Sequence, residues 1–347
     1  MDSNKLYRIV GIIIFLIVLV IVGVSASKVD FSRNIKKVIN SDPKKPEQNE
    51  VYNLFEGITT GSIYNSVYQN TVTAENLANI DVDSVDFENE DLNIMFFYIG
   101  QADSMFIKLK DKTMLIDAGN NLDGKNIVNF LKSKNISKID YLVGTHADED
   151  HIGGLDDIIR EFEVARIFMP TVGSEQVNYI MAKRRADEKN ISIENPKEGD
   201  TFEFNDATIK VISAMEGADI DNNESSLVIE LDYKERKVLF MADAGEIVEN
   251  KHKWQDVDVL KVGHHGSSSS TTPEFLEQTK PEFAFVEVGK NNDYNLPNKK
   301  ILERIVKAGA KLYRTDLEQS SFWVKVNESN IDVNEINLNL DGNTWHN

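Results

Sequence analysis

Residues 145–154 read T-H-A-D-E-D-H-I-G-G and place four side chains of metal-ligand type within six positions. The stretch follows an apolar run, residues 139–143, that is typical of a buried strand, and it precedes a helical pattern over residues 155–162. The four side chains are His146, Asp148, Asp150 and His151. Histidine nitrogens and carboxylate oxygens are the donors of zinc, manganese and iron sites. The spacing therefore predicts a metal-binding loop between a strand end and a helix start. The plainer alternative is a solvated acidic loop with two incidental histidines.

A second group of candidate ligands lies downstream. Residues 263–272 read G-H-H-G-S-S-S-S-T-T, and four of the six histidines in the chain fall in these two motifs. Asp243 stands at the end of another apolar run. Because a metal site on strand-end loops draws ligands from several strands, we expect Asp243 and one of His264 and His265 to join the first group. A helix N-cap is the simpler alternative for Asp243, and a flexible loop is the simpler alternative for the individual serines.

The order of these motifs resembles the metallo-β-lactamase superfamily, whose signature is H-x-H-x-D-H-x-G-G. Asp148 stands in place of the second histidine, and this variant resembles the hydrolase domain of ComEC-type DNA-uptake proteins and their free-standing relatives. The resemblance covers roughly residues 92–326 and implies an α/β fold, an αββα sandwich. Further segments that carry it are residues 98–103 (Y-I-G-Q-A-D), 114–119 (M-L-I-D-A-G), 222–228 (N-N-E-S-S-L-V), 237–245 (K-V-L-F-M-A-D-A-G) and 292–297 (N-D-Y-N-L-P).

The resemblance implies two divalent metal ions, Zn or Mn, that share one carboxylate. The implied ligands are His146, Asp148 and Asp243 for the first site, and Asp150, His151, Asp243 and either His264 or His265 for the second. In the wider superfamily a further histidine completes the first site, but this chain has no histidine near residues 223–226. We therefore expect an oxygen-rich first site that binds manganese as readily as zinc, or that fills only with substrate present.

The resemblance also implies roles in catalysis. A metal-bound hydroxide, oriented by Asp150, would attack the substrate. The histidine of the 264–265 pair that does not bind metal, or Tyr294, would protonate the leaving group, and we carry His265 as a catalytic candidate as well as a ligand candidate. Asp117 is expected to support the metal loop. Asp103 is expected either to contact a metal-binding residue or simply to form a turn.

Composition narrows the class of protein. The 347 residues carry a formal net charge of -19 and include no cysteine, which excludes disulfides and cysteine-based zinc sites. Such an acidic chain is not a general nucleic-acid binder, although metal ions make the local site of a nuclease cationic. The compact basic cluster at residues 183–185 (K-R-R) is predicted to be a solvated helix face, with a substrate-phosphate patch as the alternative.

The first residues predict attachment to a membrane. Residues 9–24 are almost wholly apolar, and their length lies between a signal-peptide core and a full membrane span. We expect a single span with the following domain outside the cytoplasm, or a secreted protein if the chain is cleaved near Ala26. The predicted division is an anchor or signal peptide at 1–27, a linker and extension at 28–90, the hydrolase domain at 91–330 and a C-terminal tail at 331–347.

These observations favour a membrane-attached or secreted metal-dependent phosphodiesterase or nuclease. DNA as substrate follows from the ComEC-type resemblance, whereas the acidic charge makes a cell-wall or small phosphodiester a rival. A β-lactamase is disfavoured because the Asp148 variant resembles the nuclease branch. The second class of function is a non-catalytic binding module with a degenerate metal site. Departures from the family pattern at Tyr98, Ala102 and Leu296 favour it slightly.

Overall fold

Two β-sheets make up most of the computed structural model, which describes residues 79–342. The predicted membrane segment, residues 9–24, lies outside this part of the chain. Within residues 79–342, no helix combines the length and the apolar character needed to cross a membrane. In chain order the strands are β1 (Asn79–Ile80), β2 (Leu92–Phe96), β3 (Met105–Leu109), β4 (Lys112–Ile116), β5 (Lys138–Val143), β6 (Glu163–Phe168), β7 (Ile193–Glu194), β8 (Thr201–Phe204), β9 (Ala207–Ser213), β10 (Val228–Tyr233), β11 (Arg236–Phe240), β12 (Val259–Lys261), β13 (Phe283–Val286), β14 (Lys311–Arg314), β15 (Ser321–Val326) and β16 (Ile331–Ile336).

The helices are short and amphipathic. In the last of them, Ile301, Leu302 and Ile305 form a buried stripe, and the Asn298 side chain caps the N-terminus by accepting a hydrogen bond from the backbone N–H of Lys300. In chain order the α-helices are α1 (Gly124–Ser133), α2 (Glu149–Ile152), α3 (Leu155–Glu161), α4 (Val177–Glu188), α5 (Glu246–Lys251), α6 (Pro273–Thr279) and α7 (Lys299–Lys307).

Both sheets contain a run of parallel strands. The nine-stranded sheet has the order β1-β16-β15-β2-β3-β4-β5-β6-β7, and the seven-stranded sheet has the order β14-β13-β12-β11-β10-β9-β8. Strands β4 to β7 are parallel, as are strands β11 to β14. The carboxyl ends of parallel strands lie at the same edge of a sheet, and this edge is where open α/β sheets hold their functional loops.

The sheets pack face to face with helices on both outer faces, so the predicted αββα sandwich is confirmed. Between the sheets, Phe96 of β2 stacks on Phe285 of β13 with ring centroids 4.2 Å apart. Helices α1, α3 and α4 cover the nine-stranded sheet. Helices α5, α6 and α7 cover the seven-stranded sheet. Each sheet is therefore buried on both faces across its centre, which matches the near-continuous apolar runs in the sequence.

The sandwich extends further in both directions than the predicted domain at residues 91–330. Residues 331–336, placed in a C-terminal tail by the sequence analysis, form β16, which pairs antiparallel with β15. Strand β1 then adds to the far side of β16. The backbone N–H of Gly342 also donates to the Asp123 carboxylate, which fixes the chain beyond β16 against the start of α1. Sequence missed β16 because only Ile331, Val333 and Ile336 are apolar in it.

Gly153 and Gly154 let two backbone segments approach closely. Their φ angles are -57° and -88°, so neither glycine is needed for an unusual conformation. A Cβ on Gly154 would lie 2.3 Å from the carbonyl oxygen of Ala118 and 2.7 Å from the Cα of Gly124. A Cβ on Gly153 would lie 2.5 Å from the backbone nitrogen of Asn121. The two glycines therefore seat the metal-loop helix α2 against the segment that follows β4.

Replacing Gly154 with alanine should lower the free energy of unfolding by about 3 kcal/mol, because the new methyl group meets backbone atoms that side-chain motion cannot clear. Chemical denaturation of the full chain measures this. Gly199→Ala is the control: no atom lies within 4 Å of a Cβ there, and only its φ of +91° opposes the change, at about 1 kcal/mol. Equal stability of Gly154→Ala and the unsubstituted protein would contradict the packing argument.

Candidate metal centre

The predicted metal loop folds as the end of β5 followed by one helical turn. His146 is buried directly after the strand, and Asp148 occupies the N-cap of α2 without making a capping hydrogen bond. Asp150 and His151 lie within that turn, and His151 is fully buried. The expected loop is therefore helical only in its second half, and His146 and Asp148 lie in the non-helical part that precedes α2.

Asp117, at the end of β4, supports this turn from below as predicted. Its Oδ2 lies 2.8 Å from Nδ1 of His151 and accepts a hydrogen bond of 2.7 Å from the Thr145 hydroxyl, while Oδ1 accepts one of 2.8 Å from the Thr145 backbone N–H. Asp117 reaches this position with a φ of +57°. Because Nδ1 of His151 donates to a carboxylate, its other ring nitrogen, Nε2, is the one presented to the site.

The second group of candidate ligands meets the first across the gap between the sheets. Nε2 of His151 lies 3.3 Å from Oδ1 of Asp243. Nε2 of His265 lies 3.3 Å from Oδ2 of Asp150 and 3.7 Å from Oδ1 of Asp243. Of the four sets of three residues within 79–342 whose donor atoms all lie within 4.8 Å of one another, two consist wholly of candidate ligands: His146, His151 and Asp243 in one, and Asp150, His151 and His265 in the other.

The donor atoms themselves indicate that a cation belongs here. Nε2 of His146, His151 and His265 and Oδ1 of Asp243 are buried and have no hydrogen-bond partner within residues 79–342. Leaving such groups unpaired is costly. Nitrogen and carboxylate oxygen donors in this number fit a divalent ion of the zinc or manganese type. These residues would hold metal ions, whose identity and number the donor set does not fix.

Charge in the cluster is tightly balanced. Burial lowers the pKa of His151, but the carboxylates of Asp243 and Asp117 outweigh it and raise this pKa well above its usual value. Burial raises the pKa of Asp243, but His151 and His265 outweigh it and lower this pKa well below its usual value. The site therefore attracts positive charge, whether as protons on its histidines or as a metal cation.

The two neighbouring histidines have different environments. Nδ1 of His265 donates a 2.8 Å hydrogen bond to the carbonyl oxygen of Glu287, and the side chain is 2 % exposed. The His264 side chain is 27 % exposed, its Nδ1 lies 3.2 Å from the Ser269 hydroxyl, and its Nε2 lies 3.5 Å from Oδ2 of Asp243. The structure therefore brings His265 into the ligand cluster and leaves His264 at the rim.

Asp148 stands at the edge of the first set. Its Oδ2 lies 3.5 Å from Nε2 of His146, and its Oδ1 accepts a 2.7 Å hydrogen bond from the Asn222 side chain. Asn222 belongs to the segment in which the expected extra histidine is missing. In that segment the hydroxyl of Ser226 is buried and has no hydrogen-bond partner in the described chain. Residues 222–226 therefore add no histidine nitrogen beside Asp148.

Tyr294 lies apart from the buried donors. It sits on the loop between β13 and α7, where its side chain is 72 % exposed. The loop is held at both ends: the backbone N–H of Gly289 donates to the Gln101 side chain, and that of Asn298 donates to the carbonyl of Gly266. The loop therefore borders the metal centre, while the Tyr294 ring points into solvent.

The serine- and threonine-rich segment offers fewer anion-binding groups than its sequence suggests. The backbone N–H groups of Thr271 and Thr272 both donate to the buried Glu249 carboxylate. The Ser270 hydroxyl is buried and donates to the carbonyl of Gly263. Ser268 and Ser269 remain exposed beside His264. A phosphate could therefore reach these serines but not the N–H groups before α6.

The basic cluster on α4 is a solvated helix face. Lys183 pairs with Asp187 at 3.0 Å, and both Arg184 and Arg185 pair with Glu188. These are exposed pairs at i,i+3 and i,i+4 spacing on one helix. The plainer prediction for this cluster therefore agrees with the structure.

Sequence reasoning missed part of the inner wall of the site. The Asp103 carboxylate is fully buried, with Oδ2 2.5 Å from Nζ of Lys261 and Oδ1 3.2 Å from Nδ1 of His265. This contact supports the first of the two roles considered for Asp103. Glu287 closes the same wall, where burial, followed by the charge of Asp103, raises its pKa well above the usual value. Lys261 ends an apolar strand, so no local pattern marks it.

Comparison with known proteins agrees with this geometry. The family model described as "Metallo-beta-lactamase superfamily" matches residues 98–286. The chain is 32% identical over 240 residues to "ComE operon protein 3" of Bacillus subtilis, covering 63% of this chain and 31% of that protein. It is 27% identical over 232 residues to "Competence protein ComA" of Neisseria gonorrhoeae, covering 63% and 30% respectively. The chain thus spans about a third of the length of these curated relatives.

Similarity to solved structures is weaker. The metallo-β-lactamase fold protein YhfI from Bacillus subtilis aligns with a TM-score of 0.46 at 10% identity, covering 68% of this chain and 100% of that one. The diiron β-hydroxylase CmlA from Streptomyces venezuelae aligns with a TM-score of 0.48 at 17% identity, covering 69% and 55% respectively.

Substituting the two adjacent histidines should separate their roles. His265→Ala should weaken binding of Zn²⁺ more than about a hundredfold, because it deletes a buried donor, and loss of a supporting group alone costs about 10–100-fold. His264→Ala, in the same turn, should change the affinity by less than about threefold, because His264 lies at the rim. Competition with a chromophoric chelator on the full chain measures both. Equal losses in the two variants would contradict the assignment.

Proposed function

Because this chain belongs to the metallo-β-lactamase superfamily, we propose that it is a hydrolase that cuts phosphodiesters with the help of divalent metal ions. The observation that carries the proposal is the convergence of buried, unpaired histidine nitrogens and carboxylate oxygens at one edge of the sandwich. Buried donors of this kind are costly unless positive charge, from protons or from a cation, balances the carboxylates among them. The competence proteins among its relatives favour a phosphodiester over other hydrolysable groups.

Divalent ions held by these donors would lower the pKa of a water molecule and offset the negative charge of a phosphate. The side chains around the site would supply the other catalytic roles. Asp150 is 31 % exposed, so it can face both the buried cluster and an incoming substrate. Its position beside Nε2 of His265 suits a carboxylate that orients the attacking water.

His264 is the best-placed group to give a proton to the leaving oxygen. It is part-exposed at the rim, and the hydroxyl of Ser269 orients its ring through Nδ1. This role moves from His265, because the position of its buried Nε2 beside Asp150 and Asp243 supports a place among the ligands. Tyr294 would need its loop to turn inward, which makes it a weaker candidate for the same role.

Two substrate types fit the open side of the site. The competence proteins among the relatives, together with the resemblance to ComEC-type DNA-uptake proteins, support a nucleic-acid strand. The net charge of -19 opposes long-range attraction of a polyanion, and exposed Ser268 and Ser269 suit a single phosphate group equally well. We propose phosphodiester cleavage as the reaction and leave DNA and a small or cell-wall diester as competing substrates.

Attachment to a membrane is part of the proposal. It rests on the apolar residues 9–24, which would tether the hydrolase outside the cytoplasm or direct its secretion with cleavage near Ala26. The domain at 91–330, enlarged by β1 and β16, would be the functional unit on the far side of a linker.

Hydrolysis of bis-p-nitrophenyl phosphate by the full chain tests the reaction. We expect turnover that requires added Zn²⁺ or Mn²⁺ and that falls at least about a thousandfold in Asp150→Ala, because the carboxylate serves both the ions and the water. Asp187→Ala, which removes an exposed carboxylate on α4, is the control and should leave turnover unchanged. Bound metal without turnover would point to another ester, and neither metal nor turnover would favour a non-catalytic binding module.

Salt dependence distinguishes the two substrate types. If a DNA strand is the substrate and contacts about four phosphates, its cleavage at subsaturating concentration should fall more than about tenfold between 50 and 200 mM salt, because binding releases counterions. Cleavage of bis-p-nitrophenyl phosphate should change little over the same range and serves as the internal control. Detectable cleavage of the small diester alone would exclude DNA as the substrate.

A further inference from the structure

Lys261 is a lysine that is fully buried at the end of β12. Its Nζ donates hydrogen bonds of 2.5 Å to Oδ2 of Asp103 and 3.1 Å to the carbonyl oxygen of Val262. Removing an ammonium group from water is unfavourable by several kcal/mol unless it is paired. Such a residue at the base of a metal centre requires an explanation beyond packing.

The charge of Lys261 reaches a predicted metal ligand through one intermediate residue. One carboxylate oxygen of Asp103 accepts a hydrogen bond from the Lys261 ammonium group, and its other oxygen lies 3.2 Å from Nδ1 of His265. That ring nitrogen donates its hydrogen bond to the carbonyl oxygen of Glu287, so the Asp103 carboxylate adds a charge contact rather than a second hydrogen bond. The carbonyl and the carboxylate both lie on the Nδ1 side of the ring, and Nε2 is left facing Asp150 and Asp243.

The buried ion pair of Lys261 and Asp103 is not expected to stabilise the fold by itself. Replacing a buried ion pair by apolar side chains is often neutral or stabilising. Asp103 lies in the turn after β2 of the nine-stranded sheet, whereas Lys261 and His265 belong to the seven-stranded sheet. Without the ammonium, the Asp103 carboxylate would be free to rotate away from the ring. The location of the pair thus matches a role in orienting His265.

We propose that Lys261 is a positioning residue for the metal centre: its ammonium group fixes the Asp103 carboxylate against His265, so that the ring presents Nε2 to a divalent ion. The inference rests on the proposed function in one respect, namely that this site binds a divalent metal. It assigns Lys261 no contact with the metal or the substrate.

The test compares the full chain with its Lys261→Met variant, which keeps a similar shape and removes the charge. We expect the dissociation constant for Zn²⁺, measured on chelator-stripped protein by competition, to rise about 10–100-fold. Lys108→Met is the matched control. Lys108 is also a buried lysine in a sheet, but its Nζ binds the carbonyl of Phe87 and lies near Glu88. Its replacement should leave the dissociation constant within about twofold.

A second readout reports on the ring itself. In the metal-free protein at a pH high enough to deprotonate the imidazolium, the nitrogen NMR spectrum of labelled histidines should show the remaining His265 proton on Nδ1, and Lys261→Met should shift the neutral ring toward a mixture of tautomers. A lysine that only stabilises the fold would change the melting temperature and leave this signature as it is. The spectrum is assigned with His265→Ala.

A mutant cycle with Asp103→Asn identifies the route. If Lys261 acts through Asp103, then Lys261→Met should not weaken zinc binding further when Asp103→Asn is already present. The double variant removes both buried charges together, so it keeps the test available if Lys261→Met alone does not fold. A further tenfold loss in the double variant would overturn the proposal.

The outcomes separate this inference from the proposed function. A full chain that binds no zinc overturns both. A chain that binds zinc, with the same dissociation constant and the same His265 tautomer in Lys261→Met, overturns only the role of Lys261. Equal losses of zinc affinity in Lys108→Met and Lys261→Met would also overturn it, since a general loss of stability would then explain the result.

Discussion

Face-to-face packing of the two sheets is the constraint on which the metal centre depends. The loop after β5 belongs to one sheet and the loop after β12 to the other, so their side chains meet only while the sheets keep their relative position. The stacking of Phe96 on Phe285, and of Phe285 on Tyr313 at 4.8 Å, fills the space between the sheets next to this edge. Side chains in such an interface interdigitate at crystal-like density, so small shifts in it are resisted. The apolar interior thus supplies the precision that the site chemistry needs.

The pairing of buried charges is a second constraint on the site, in addition to the packing of the sheets. Asp103, Asp117 and Asp243 are all buried, and each lies against a histidine ring. Carboxylates in such positions are tolerated because they are paired and hydrogen-bonded. The pairing is directional: the carboxylates of Asp103 and Asp117 take the Nδ1 side of a ring, while Asp243 faces Nε2. In this arrangement the Nδ1 atoms fix the orientation of the histidine rings, and the Nε2 atoms remain available to a cation. The buried Nε2 atoms, which have no hydrogen-bond partner in the described chain, lower the stability of the fold, and such a cost is expected at a functional site.

Sequence predicted those features whose signal is local. The strand predicted over residues 139–143 and the helix predicted over residues 155–162 lie within one residue of β5 and α3, because their apolar patterns are clear. The dense motif at residues 145–154 likewise predicted the position of the first ligands. The sandwich itself followed from the resemblance, since the order of elements alone does not fix how two sheets pack.

Features that depend on contacts between residues distant in the chain could not be predicted from the sequence. Whether His264 or His265 faces the cluster depends on two consecutive positive φ angles, 48° and 50°, that residue type does not predict. Lys261 lies 158 positions from Asp103 in the chain, and its strand reads as an ordinary apolar run. Strand β16 has too few apolar residues to be recognised as a strand from its sequence, and it is completed by its pairing with β15. In each case tertiary contact overrides the local signal.

The two ligand sets differ in a way that follows from a single substitution. Where the superfamily signature has its second histidine, Asp148 supplies oxygen, and Asn222 takes one of its two oxygens as a hydrogen-bond acceptor. Both sets include two histidines, and in the set around His265 each ring is held through Nδ1 by a buried acceptor. A donor held rigidly and rich in nitrogen binds zinc-like ions more strongly than a part-exposed carboxylate shared with an amide. The asymmetry therefore makes the His265 side of the cluster the more rigid place for a cation, and the Asp148 side the less rigid one.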